Sequence, residues 1–274
     1  ILAVAAITLA AGAQAESKFY GKMNVSVGYD DATEAFNLTD NASRLGVKGS
    51  EDLGASKVIY QAEFSKAVDG SNILGTRDTY LGLSYGDMGT VKMGIMDTPL
   101  KKSQGKFDLF NDVVDIKNVL DGETRAANSL NYTTAKMGAV QVSASVIFGE
   151  ATGSDGYSAN ATFKQGDIYA SVAVDKDIPG KETQTIRATG IYTMGDMRFG
   201  ALINNVDKTD TGKNTAKVQF ESGDQKAAGA TSLSAGVDHK LAKGTKAFAV
   251  LNLSDADAAN SDMTAVAFGL EHKF

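Results

Sequence analysis

The chain has 274 residues, enough to bury a core in one or two ordinary domains, so length alone selects no fold. Its composition, with 29 Gly, 2 Pro, no Cys, no Trp, 43% apolar residues and a mean hydropathy of -0.15, excludes a bundle of membrane helices and a disulfide framework. A formal charge of -6 argues against a nucleic-acid partner, because such domains carry a basic excess on one face.

Residues 1–15, ILAVAAITLAAGAQA, are an uncharged apolar run that finishes in Ala13-Gln14-Ala15. The small-x-small ending is the pattern of a signal-peptidase site, so we expect part of an export signal with cleavage before Glu16. A short buried helix explains the run less well, since it gives no role to that ending.

From Lys18 onward the period is two. The first run sets Phe19, Met23, Val25, Val27 and Tyr29 on one face, against Tyr20, Lys22, Asn24 and Ser26 on the other. The same split recurs at Val58, Tyr60, Ala62 and Phe64 against Gln61, Glu63 and Ser65, and again at Val140, Val142, Ala144, Val146 and Phe148. About fifteen such segments are expected, near 18–29, 43–49, 57–66, 76–85, 90–96, 125–133, 139–148, 157–164, 168–175, 183–192, 197–205, 214–222, 231–239, 245–254 and 263–274.

Short connections (86–89, 134–138, 165–167, 241–244) alternate with long polar ones (30–42, 67–75, 176–182, 255–262). Tight turns at one end and long loops at the other are the pattern of an up-and-down antiparallel β-barrel that crosses an outer membrane. Counting strand directions from each end gives conflicting answers at 206–230, so that stretch holds one more strand or none. An even, closed barrel then has 16 strands or 14. We expect one barrel domain over residues 16–274.

Residues 97–124 form an unusually long connection, and loops of such length are functional or disordered. Phe107, Leu109, Phe110, Val113, Val114 and Ile116 argue against disorder. In a closed barrel the surface available to such a loop is the lumen.

The motifs SRLGVKGSEDLG (43–54), TRDTYLGLSYGDMGTVKMG (76–94), KFDLFND (106–112), NSLNY (128–132) and the terminal GLEHKF resemble the general porins of Gram-negative bacteria, the proteobacterial branch in particular. The resemblance spans the chain from residue 16 onward. It implies a trimeric barrel of 16 strands in outer-membrane lipid, whose third loop bends inward so that acidic loop groups face a basic wall.

Alternation then sorts the wall charges. Arg44 and Lys48 fall opposite Leu45 and Val47, Arg125 falls opposite Leu130 and Tyr132, and Arg187 and Arg198 share the inward parity on later strands. Arg77 shares parity with Leu81 and Leu83, so it reaches the lumen only through a bulge or from the loop end. Where family members often carry an Arg within NSxxY, this chain has Asn131, which thins the basic side. The facing acids are expected at Asp108, Asp112 and Asp115, with Glu63 on the wall. Basic residues inside a narrow channel predict a modest anion preference although the whole chain is acidic.

Other chemistries find no support. GLSYG (82–86) matches a nucleophile-elbow spacing around Ser84, but that motif needs a strand entering a helix, whereas here it leads into another strand. The two histidines, His239 and His272, have no metal-ligand spacing. No enzyme activity, cofactor or metal is expected. The expected function is passive diffusion of small hydrophilic solutes and ions, with a substrate-selective porin or a plugged adhesive barrel as the alternatives. The last strand, with Val266, Phe268 and Leu270 toward lipid, is expected to close on the first, and the resemblance to porins implies that Phe274 also serves as the assembly signal.

Overall fold

The computed structural model describes residues 16–30, 34–65, 68–70, 75–108, 121–150, 154–178, 180–194, 197–208, 213–220, 224–225, 230–255 and 263–274. The expected export segment lies outside the described residues, as do Asp112 and Asp115. The strands are β1 (Glu16–Asp30), β2 (Ala35–Asp40), β3 (Arg44–Asp52), β4 (Lys57–Ser65), β5 (Gly75–Tyr85), β6 (Gly89–Asp97), β7 (Arg125–Thr133), β8 (Val140–Ile147) and β9 (Gly156–Gln165). They continue as β10 (Ile168–Lys176), β11 (Thr183–Met194), β12 (Met197–Lys208), β13 (Lys213–Phe220), β14 (Asp224–Gln225), β15 (Ala230–Ala242), β16 (Thr245–Asp255) and β17 (Met263–Lys273). One helical turn, α1 (Pro99–Lys102), follows β6. No helix among the described residues is long and apolar enough to cross a membrane.

Sequence neighbours pair antiparallel, and β1 also pairs with β17 from Lys22↔Lys273 to Asp30↔Ala265. The other edge of β1 meets β3 along Glu16–Lys22 and β2 along Val25–Asp30. β2 and β3 therefore share one strand position, broken at residues 41–43, where Ala42 has φ 54°. The 17 segments thus fill sixteen positions, with β14 supplying the strand left open at 206–230. Ladders run from β14 through β17 and β1 round to β13; among the described residues no register joins β13 to β14, so the cylinder is interrupted at that seam.

One expected connection is corrected. The stretch 30–42 is not a single long loop: Phe36 and Leu38 alternate with Asn37 and Thr39, and this alternation pairs β2 with β1.

The two faces are distributed inside out relative to a water-soluble protein. Phe268 (63% exposed), Phe19 (60%) and Val172 (59%) point outward, while Asn24 (1%), Asn131 (2%), Asn204 (2%) and Arg187 (0%) are enclosed. An apolar band of this extent would aggregate in water, and it suits a hydrocarbon surround. β16 and β17, at 11 residues each, have the length a tilted strand needs to cross a bilayer.

The β1–β17 seam is finished by Phe274. Its N–H donates to Gly21 O (3.1 Å), and Gly21 N–H donates back to Phe274 O (3.0 Å). A Cβ on Gly21 would sit 2.3 Å from the Phe274 ring, so only glycine leaves room for the ring to lie against β1. Gly21→Val is expected to push the ring outward and lower folding yield in detergent without shifting the register, as measured by heat-modifiable gel mobility.

Candidate functional site

The third loop begins where β6 ends. Thr98 caps α1, its Oγ1 accepting from Lys101 N–H (3.2 Å), and Pro99 opens the helix with no N–H to satisfy. The loop then hangs from the inner faces of β9 and β10. Ser158 Oγ accepts from Leu100 N–H (3.1 Å), and Asn160 Nδ2 donates to Pro99 O (2.6 Å). Tyr169 (2.8 Å) and Ser171 (2.6 Å) both donate to Ser103 O. Phe107 packs with Ile191 and Leu202, so a loop residue flagged as apolar does find a surface on the wall.

The return limb is clasped by Arg187. This guanidinium, 0% exposed, donates to Glu123 Oε1 (2.6 Å), Asp121 O (2.8 Å) and Asn204 Oδ1 (3.0 Å). Burial holds the Glu123 carboxyl above its ordinary pKa, and Arg187 offsets only part of that rise. Gly122, at φ 91°, lets the two limbs touch, since a Cβ there would lie 2.4 Å from Leu100 Cδ2.

A second cluster forms where α1 faces β3–β7. In the β4–β5 ladder Ala62 pairs with Thr79 and Phe64 with Thr76, so Arg77 and Asp78 together oppose Glu63. This bulge brings Arg77 inside, the route that alternation required of it. Arg77 Nε meets Glu63 Oε1 (2.6 Å), Arg44 Nε lies 3.8 Å from Glu63 Oε2, and Tyr20 OH donates to the same oxygen (2.8 Å). A matching bulge lies in β7, where Gly94 pairs with Ser129 but Met96 pairs with Ala126. Arg125 contacts Asp78 through Nε (2.6 Å) and Asp97 through a terminal nitrogen (3.0 Å), and Lys101 meets Asp97 (3.2 Å).

The candidate residues thus separate. Arg44, Glu63, Arg77 and Arg125 come together in one cluster. Glu63 stands on the wall among the bases. Arg187 keeps its inward parity but is buried under the loop as an anchor, away from open water. Lys48 lies over the Tyr20 ring (4.8 Å), four residues along β3 from Arg44, or ~13 Å at strand rise. Arg198 pairs with Thr193 near the start of β12, and its side chain is outside the described residues. Asp108 is half-buried beyond α1 and is engaged by other groups.

Asp78 and Asp97 carry much of the cluster and were not expected. Period two assigns them no partner, because a bulge and a loop entry bring them to the bases. Asn131, read as a gap in the basic wall, bonds Ser143 Oγ (3.0 Å) and Ser145 Oγ (2.8 Å), so it ties β7 to β8. Ser84 sits in the β5–β6 hairpin beside Thr90 Oγ1 (3.0 Å), with no helix following. His272 Nδ1 bonds Thr245 Oγ1 (2.8 Å).

Comparison with known proteins agrees with this architecture. A family described as Gram-negative porin matches residues 2–274. The major outer membrane protein P.IB of Neisseria meningitidis is 26% identical over 185 residues, 60% of this chain but only 55% of that protein's length. Among solved structures, the anion-selective porin from Comamonas acidovorans superposes with a TM-score of 0.81 at 20% identity, covering 95% of this chain and 100% of that one. The outer-membrane expressed OmpT of Vibrio cholerae gives 0.70 at 14% identity, covering 97% and 99%; a trimer form of the in-vitro folded protein gives 0.53. An inside-out sheet, an inward third loop and a match along nearly the whole sequence lead to one conclusion: this chain belongs to the Gram-negative porin family, proteins of the bacterial outer membrane.

Proposed function

We propose that the protein forms a water-filled channel for passive diffusion of small hydrophilic solutes and ions, with a modest preference for anions, and that it assembles as a homotrimer. The observation that carries the preference is the charge balance beside α1. Arg44, Arg77, Lys92, Lys101, Lys102 and Arg125 stand against Glu63, Asp78 and Asp97, six cations to three carboxylates among the described residues. In a narrow channel with low-dielectric walls such an excess concentrates counter-ions, whatever the net charge of the chain. The trimer form of a structural neighbour and the exposed apolar outer wall support association of copies.

Reversal potentials in a salt gradient across a planar bilayer test the reading. The wild type should pass anions more readily. Arg44→Gln with Arg125→Gln removes two cations and leaves Asp78 and Asp97 less compensated, so the anion-to-cation permeability ratio should fall about threefold. An unchanged ratio would mean that other groups set the field, and absence of ohmic steps in the wild type would sink the channel itself.

A further inference from the structure

Asp175 is enclosed where a position on the inner wall should be wet. It stands on the inner face of β10, directly across from Ser158 on β9 and from Thr185 on β11. The third loop spans that spot. On one side Leu100 N–H donates to Ser158 Oγ (3.1 Å), and on the other Arg187 holds Asp121 O and Glu123 (2.8 and 2.6 Å). Between these anchors Gly122 lies so close to the wall that a Cβ there would be 3.4 Å from Thr185 Cγ2. Under this cover Asp175 is 0% exposed.

Neither carboxylate oxygen of Asp175 has a hydrogen-bond partner in place. The charged groups that face it are Arg187 on β11 and Glu123 on the return limb, while β9 presents Ser158 and the cap of α1 presents Thr98, both uncharged. Lys101 and Lys102 of α1 interact with Asp97 instead. The Arg187 donors go to Glu123, Asp121 O and Asn204, so the one guanidinium beside two carboxyls is bonded to only one of them. A single arginine cannot neutralise both acids. An enclosed carboxylate with neither donor nor countercharge of its own is far costlier than the neutral acid.

We propose that Asp175 positions the third loop by carrying a proton: it is a neutral acid beneath the docked loop, and it gives the proton to water when the loop lifts. The neutral carboxyl has an O–H to donate, and the Ser158 and Thr98 oxygens, which already accept from Leu100 and Lys101 N–H, are the acceptors beside it. Docking therefore takes up one proton and is strongest at low pH. Above the range of a free aspartate, about pH 4, each further pH unit weakens it by up to about tenfold, until the acid ionises in place. The effect on conductance rests on the diffusion-channel reading, whereas the protonation itself does not.

Infrared spectroscopy of the whole folded protein in detergent reads the proton directly. At about pH 5, above the free-aspartate range, the wild type should show the carbonyl band of a protonated carboxyl that Asp175→Asn lacks. Growth on isotopically labelled aspartate should shift that band in the wild type, which separates Asp175 from Glu123 even if the variant does not fold. In planar bilayers, wild-type open-channel noise should grow between about pH 4 and about pH 7, as the loop docks less firmly. Asp175→Asn, whose amide has no proton to lose, should stay quiet throughout, and Asp52→Asn, at an exposed carboxylate paired with Lys57, should keep the wild-type profile. No such band, a band that persists in Asp175→Asn, or one that ignores the aspartate label would overturn the proposal. Noise that does not change with pH in the wild type, or that changes equally in Asp175→Asn, would overturn it as well. If the wild type shows no ohmic steps, the channel reading fails, and the infrared measurement still decides whether Asp175 holds the proton.

Discussion

Arg187→Ala is expected to leave the sheet folded while raising single-channel conductance and open-channel noise. The substitution removes three donated bonds and strands Glu123, whose carboxyl is 95% enclosed, without its partner. Breaking a buried pair from one side costs about 3–5 kcal/mol, because the remaining charge stays desolvated. Here that cost falls on the docking of the return limb: no ladder bond uses the Arg187 side chain, and the limb can escape the cost by leaving the wall. The first limb should hold, since Ser158, Asn160, Tyr169 and Ser171 fix it independently. Pairing Arg187→Ala with Glu123→Ala should recover part of the wild-type conductance, since no charge is then left unpaired. Planar-bilayer recordings check this. Conductance identical to wild type would show that the first limb alone sets the aperture.

Deleting Phe274 should have the opposite signature, with fewer inserted molecules but normal conductance in those that insert. The deletion removes two reciprocal backbone bonds to Gly21 and a ring that packs there and beside Phe19 (centroids 6.0 Å apart). With about 1 kcal/mol per hydrogen bond and roughly 1 kcal/mol for a half-buried ring, the seam loses about 3 kcal/mol, a large share of ordinary domain stability. None of these groups touches the charge cluster. Folding yield into lipid vesicles and single-channel conductance, measured on the same preparation, separate the two effects. A full yield would remove Phe274 from the assembly step. A lowered yield for the deletion but not for Gly21→Val would assign the effect to the terminal residue itself, apart from the packing of its ring.

Much of the fold could be read from alternation because a lipid-facing wall repeats one demand at every second residue. The segment expected at 168–175 is Ile168–Lys176, and 57–66 is Lys57–Ser65. β2 escaped because its two apolar residues, Phe36 and Leu38, sit among loop-like polar neighbours, and because the break at 41–43 severs it from β3. The cluster was less legible than the sheet. Arg44 and Glu63 follow from period two, yet Arg77 depends on a bulge, and Arg125 meets Asp78 beyond the register shift in its own strand. Arg187 shows the limit of parity: alternation gives the side on which a group stands, but the loop lying over it decides whether that group meets water or a carboxylate.

The third loop is suspended from β9–β12, whereas the cation-rich cluster stands on β3–β7 and on α1. In the proposed channel, size exclusion and charge discrimination are thereby delegated to different arcs of the cylinder. Substitutions at Ser158, Asn160, Arg187 or Asn204 move the obstruction, and those at Arg44, Arg77 or Lys92 alter the potential, so the two filters of this pore are free to drift separately under selection.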